Sequence, residues 1–258
     1  MSTLPALFLG HGNPLNAIRS NAWTAAWSAL GARLPRPRAV LAISAHWYLD
    51  ALAVTAMPRP RTIHDFGGFP RELYAARYPA PGDPQLAHRV AALLAPLPVQ
   101  LDQGWGLDHG SWSLLCHLYP EADVPVVQLS IDARGAPSYH YQVGVRLRAL
   151  REEGVLLLGS GDLVHNLRAY AWGERPQEPY DWALRFEEAV RTRLIAGEHA
   201  ELIDYPSLGE DARLSVPTPE HYLPLLYVMG ASMPSETVQF PVEGVDGGSV
   251  SMLGVQFG

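Results

Sequence analysis

Four short apolar runs, each closed by a glycine or a polar residue and followed by a helical pattern, constrain the fold more than any other feature. They are Ala6-Leu7-Phe8-Leu9, Ala39 to Ile43, Val124 to Leu129 and Val155 to Leu158. Runs this short without polar alternation read as strands covered on both faces, which is the habit of parallel sheets. Apolar residues spaced by three and four predict helices over Trp23 to Leu34, Gln85 to Leu94, Tyr139 to Leu150 and Trp182 to Ile195. The alternation predicts an α/β fold, with a mixed, mostly parallel central sheet flanked by helices. Toward the C-terminus a helix-like Pro219 to Met229 and strand-like Thr237 to Phe240 and Ser249 to Phe257 suggest antiparallel additions. The proline-rich stretches Pro58 to Arg61 and Pro79 to Pro84 read as loops, and neither separates regions of contrasting composition. One domain over residues 1–258 is expected.

With 258 residues, 48% of them hydrophobic and 17% charged, the chain buries a continuous core without crosslinks, so any metal it holds is functional rather than structural. A formal net charge of -7 disfavours nucleic acid and anionic membrane surfaces as partners. The single cysteine, Cys116, forms no intramolecular bridge and offers no thiolate cluster. The first ten residues lack a basic targeting segment, and no stretch approaches the ~18 apolar residues of a membrane span. A cytoplasmic protein working on small molecules is the expectation; oligomeric state is left open.

Among ten histidines, three share one physical context. His11 follows the first strand inside Gly10-His11-Gly12-Asn13-Pro14, His46 follows the second in Ser44-Ala45-His46-Trp47, and His165 follows the fourth through Gly159 to Val164. In open α/β sheets, sites form beyond the carboxyl ends of the strands, so these rings should meet at one rim. His221, near the start of the C-terminal helix, could close the group, with its neighbour Glu220 as the rival ligand. Three protein ligands with an open position is the pattern of a catalytic metal, and imidazole suits Fe(II), Zn(II) and Cu. His88, His117, His140 and His199 lie in patterns without glycine and read as surface or packing residues, while His64 is ambiguous. His109 lies in Gly104 to Trp112, a glycine- and tryptophan-rich segment that reads as a pocket wall and not as a regular helix.

Six motifs, in order, resemble the DODA-type extradiol aromatic ring-opening dioxygenases of the LigB-like class. They are Gly10-His11-Gly12, Ser44-Ala45-His46-Trp47, His64-Asp65-Phe66-Gly67-Gly68-Phe69-Pro70, Leu107-Asp108-His109-Gly110-Ser111-Trp112, Val164-His165-Asn166-Leu167 and Pro219-Glu220-His221-Tyr222-Leu223-Pro224. The resemblance runs from about Leu7 to Phe257 and implies a LigB-like α/β fold with a non-haem metal. It implies His11, His46 and His221 as ligands, His165 as the acid/base residue and a possible fourth ligand at rest, and His109 as a second substrate-facing histidine. Fe(II) is expected for activity, with Zn(II) as the ion found on isolation; the implied partners are a catechol such as DOPA and O2. Two departures stand out: the motif offers His221 beside Glu220 where some relatives use a glutamate, and Asp162 stands where asparagine is expected. A carboxylate there could hold His165 protonated or reach the metal.

An extradiol site needs a metal with adjacent open positions, a proton-transferring imidazole and flat apolar walls. Trp47, Phe66, Phe69 and Trp112 are the candidate walls, and Arg168 and Arg61 the candidates for a substrate's amino acid end. Two rival functions share the residues: a zinc hydrolase, since three histidines and a water also suit zinc, and a non-catalytic small-molecule or peptide binder.

Overall fold

A computed structural model describes residues 3–173 and 178–258. Four parallel strands form the middle of the sheet: β1 (Ala6–Gly10), β2 (Ala39–Leu49), β5 (Val126–Asp132) and β6 (Val155–Gly161), in the order β5-β2-β6-β1. Beyond β5 lie β3 (Leu52–Thr55), antiparallel to it, and β4 (Val99–Asp102). Beyond β1 lie β10 (Gly254–Phe257), antiparallel to it, and β7 (Val238–Gln239). A separate small pair joins β8 (Val245–Asp246) to β9 (Val250–Ser251). The mixed, largely parallel sheet is the one expected, antiparallel additions included.

Alternation along the strands divides the core. Ala6, Phe8, Leu41 and Ile43 face one layer with Val143, Leu147 and Leu226, while Leu7, Leu9, Val40 and Ala42 face another with Trp27, Leu30 and Leu115. The helices covering these faces are α1 (Ala22–Arg33), α2 (Pro84–Leu94), α3 (His109–Leu118), α4 (Pro137–Leu147), α5 (Asp181–Ala196) and α6 (Leu223–Ala231). All nine residues of α6 are buried, so this helix is apolar all round and lies within the core.

Four details differ from the sequence expectations. The segment read as an irregular pocket wall starts α3 at His109, because Asp108 caps the helix by accepting from the Ser111 amide at 3.1 Å. Gly110 is tolerated there because a Cβ would stand 2.6 Å from Ser44 Oγ, so the close packing against β2 requires glycine. The second strand does not end before His46 but runs to Leu49, with a register shift between Ile43 and Tyr48. The last helix starts at Leu223 and not at Pro219, with Pro224 in its first turn, where a missing N–H costs nothing. The run Tyr139 to Leu150 breaks at Arg148 into α4 and a short turn of helix, Ala149–Glu152.

Candidate metal centre and active site

The register of the parallel strands assembles the site. Gly10 of β1 pairs with Gly161 of β6, so His11 and Asp162 emerge side by side, and Ser160 pairs with Ser44 two residues before His46. His221 joins from the loop before α6, where the Asp162 amide donates to its carbonyl at 3.1 Å. Gly161 permits this approach, since a Cβ there would lie 2.1 Å from the His221 oxygen.

The Nδ1 atoms of His11 and His221 have hydrogen-bond partners, and that of His46 lies near a carboxylate. Ser160 Oγ donates to the Gly110 carbonyl at 2.5 Å, so it accepts from His11 Nδ1 at 3.0 Å. His46 Nδ1 faces Asp65 Oδ2 at 3.2 Å, and His221 Nδ1 faces Glu220 Oε1 at 3.3 Å. A tautomer with the protons on Nδ1 turns the three Nε2 lone pairs toward the site. The Nε2 atoms of His11 and His46 stand 3.1 Å apart, and the His221 ring lies 5.3 Å and 5.2 Å from those two rings. His221 Nε2 is buried with no hydrogen-bond partner among the described residues. Burial and the neighbouring imidazoles hold His11 and His221 well below the ordinary histidine range; burial and His109 push His46 down to about 3. Neutral nitrogens this close repel one another unless a cation lies between them, and the donor set fits a divalent transition metal.

The carboxylates sort themselves by position. Glu220 Oε1 lies 3.3 Å from His221 Nδ1 and accepts from Thr218 Oγ1 at 2.7 Å. Asp162 accepts from the Gly12 amide at 2.9 Å and faces His11, not His165. Burial raises its pKa well above the usual carboxylate range. Asp65, whose role the sequence did not disclose, accepts from His109 Nδ1 and from the His109 amide, each at 2.9 Å, while facing His46. Burial resists its ionisation, but the hydrogen bond and charge of His109 prevail and hold it at about 2.

His165 lies flat against His221, with ring centroids 3.5 Å apart and planes 8° from parallel. Burial lowers its pKa to about 4. Its nitrogens group with His221 and Glu220, and not with His11 and His46, where the resemblance implied a possible fourth ligand. His109 sits on the other side, its centroid 3.9 Å from that of His46.

Above these rings is a cavity of about 390 Å³ whose wall is mainly apolar. Phe66 and Phe69 line it; Trp47 and Trp112 do not. Successive strand residues point to opposite faces, so when His46 faces the cavity Trp47 turns away and stacks on Trp105, 5.5 Å between centroids. Trp112 packs behind Phe66 and donates to the Ile63 carbonyl at 2.8 Å, bracing the loop that carries Phe66. Leu167, Tyr170 and Trp172 also line it and were not anticipated as wall residues; Leu167 closes the His165 motif and the other two follow it closely. Arg61 and Arg168 are not part of the lining, and Arg61 donates instead to the Trp105 carbonyl at 3.2 Å. His64 packs behind the wall against Phe66 and Trp112. His117, His140 and His199 bond to the Asn16 carbonyl and the Tyr227 and Tyr141 hydroxyls, away from the site.

Residues 13–252 match the family described as the catalytic LigB subunit of aromatic ring-opening dioxygenase. The chain belongs to this LigB family. It is 52% identical to 4,5-DOPA dioxygenase extradiol of Escherichia coli K12, over 99% of this chain and 95% of that protein. It is 37% identical to the protein of the same name from Beta vulgaris, over 97% of this chain and 95% of that one. The crystal structure of an uncharacterized Escherichia coli K12 protein superposes with a TM-score of 0.87 at 48% identity, covering 99% of this chain and all of that one. These relationships make the protein a metal-dependent extradiol ring-cleaving dioxygenase, and so decide against the zinc hydrolase and the non-catalytic binder. Among the described residues no helix is long and apolar enough to cross a membrane.

Proposed function

We propose that this LigB-family enzyme opens the ring of DOPA or a closely related catechol, with Fe(II) as the working metal held by His11, His46 and His221, and Zn(II) as the ion it retains on isolation. The observation that carries this is the gathering of the His11, His46 and His221 rings, with centroids 5.0 to 5.3 Å apart, beneath an apolar cavity large enough for one aromatic ring. The relatives named 4,5-DOPA dioxygenase extradiol support the choice of substrate. When bound, the metal supplies adjacent coordination positions at which the catechol oxygens and dioxygen meet. Phe66 and Phe69 flank the ring and exclude water from it. His165, in the cavity wall against His221, takes the second catechol proton and later returns a proton to the oxygen released by O–O cleavage. His109, its Nδ1 anchored to Asp65, turns its other nitrogen toward a substrate oxygen as hydrogen-bond donor or acceptor. The C–C bond beside the diol breaks, and both atoms of O2 enter a yellow muconic semialdehyde-type product; from DOPA this is a seco-DOPA that cyclises.

The test is anaerobic reconstitution with Fe(II), then addition of air and a panel of catechols, recording oxygen uptake and visible absorbance together. Stoichiometric uptake with a yellow product from DOPA is expected. Uptake without colour would overturn ring opening as the reaction, and turnover of other catechols with DOPA inert would overturn the substrate.

A further inference from the structure

The floor of the site holds one more donor than the three histidines. Asp162 directly follows β6 and is 1% exposed. Gly12, in the left-handed region at φ 59°, aims its amide at Oδ1 from 2.9 Å and fixes the carboxylate. A Cβ on Gly12 would meet Met252 Sδ at 2.4 Å, so packing and backbone together keep glycine in this turn. The other oxygen, Oδ2, is left 3.3 Å from His11 Nε2 and has no hydrogen-bond partner among the described residues. Buried carboxylate oxygens without partners are rare, and each calls for a cause.

The cause lies in what surrounds Oδ2. Asp162, His11 and His221 each offer a donor atom within 4.8 Å of the others. His46 Nε2 adds another, 3.1 Å from that of His11. Asp162 Oδ2, His11 and His221 thus share one space, with His46 Nε2 beside that of His11. A single proton bridges two acceptors at most, whereas a divalent cation satisfies several at once. We propose that Asp162 is a fourth protein ligand, making the resting centre three histidines and one carboxylate; this rests on the metal-centre reading given under Proposed function. The carboxylate cancels one of the ion's two positive charges and adds a hard oxygen donor to an all-imidazole set, which improves the fit to Mn(II) and Fe(II).

Asp162→Asn separates this role from a merely structural one. The amide oxygen still accepts from Gly12, but the NH2 group takes the place of Oδ2 and points at the His11 lone pair. Three measurements on the full chain suffice: the affinity for Co(II) and Mn(II) by chelator competition, the visible ligand-field spectrum with Co(II), and the thermal midpoint of the metal-free protein. Metal-free Asp162→Asn should melt at or above wild type, since a buried unpartnered charge site is gone. Its Co(II) affinity should fall by at least the 10- to 100-fold typical of outer-shell partners, and the Co(II) spectrum should change. Asp162→Ala should show the same loss of affinity. Equal affinity and an unchanged spectrum in Asp162→Asn would overturn the proposal, as would a lower metal-free midpoint with metal binding intact, which marks a structural brace. Should wild type itself bind neither ion, the metal centre falls with it, an outcome distinct from a failure of Asp162 alone.

Discussion

Asp65 is the group whose loss the geometry lets one price. Its carboxylate accepts from Nδ1 of His109 and from the His109 amide, each at 2.9 Å, and lies 3.2 Å from Nδ1 of His46. Asparagine has the same shape but one acceptor oxygen. However the amide turns, its NH2 faces at least one N–H, donor against donor. The least costly escape moves a proton from Nδ1 to Nε2 of an imidazole, and in His46 that removes the lone pair a metal needs. Losing one charge-assisted hydrogen bond costs about 1.5–3 kcal/mol. That agrees with the 10- to 100-fold effect of outer-shell substitutions, equal to about 1.4–2.8 kcal/mol. Asp65→Asn should therefore lower both Co(II) affinity, read by chelator competition, and kcat at saturating Fe(II), read by oxygen uptake, by about 10- to 100-fold, with an unchanged far-UV spectrum. A variant within twofold of wild type in both would refute the idea that one carboxylate sets both rings.

Other expectations test separate parts of the structure. His165→Ala should retain metal by elemental analysis while losing turnover, whereas His46→Ala should lose the metal; normal turnover by the former removes His165 from the proton transfers. Chelation should lower the thermal midpoint reversibly: an ion present at 100 times its Kd stabilises by about 2.7 kcal/mol, roughly 5–10 °C for a chain of this size, and a midpoint indifferent to chelator contradicts the site. Arg151, fully buried, donates to the carbonyls of Leu4 and Ala231, both at 2.7 Å, and pairs with Glu236. Arg151→Ala should cost about 3–5 kcal/mol in denaturant unfolding, because it orphans these groups. Burial opposes ionisation of Glu236, yet the bond and charge of Arg151 hold its pKa below the usual range. Its contribution to stability is complete above its unfolded-state pKa of about 4.3 and fades as pH falls through the lower folded value. Glu236→Gln should accordingly flatten the acid limb of stability against pH, and an unaltered limb would contradict the pairing.

Much of the fold was legible because buried parallel strands announce themselves as unbroken apolar runs, and β1, β2, β5 and β6 are such runs. β3 and β4 were not, being four residues each and, in β4, partly exposed. Strand ends pointed to His11, His46 and His165, and the start of the last helix to His221; the His11, His46 and His221 rings lie 5.0 to 5.3 Å apart and His165 stacks on His221, although His46 falls inside β2 and not after it. What escaped was whatever depends on which way a side chain turns. Trp47 and Trp112 have the right chemistry for a pocket wall, yet a strand's two-residue period and the packing behind Phe66 put them outside it. Asp65 escaped because its role is defined by two histidines distant in sequence, to which nothing local points.

The proposed ligands come from β2 and from loops near opposite ends of the chain, His11 early and His221 late. No short stretch of polypeptide contains enough of them to grip an ion, and each depends on strand neighbours already in place. Metal capture must then follow folding and cannot seed it, in contrast to small domains that an ion organises. On that ligand set, a half-made chain leaving the ribosome has no place to hold the ion, and the finished sheet alone provides one.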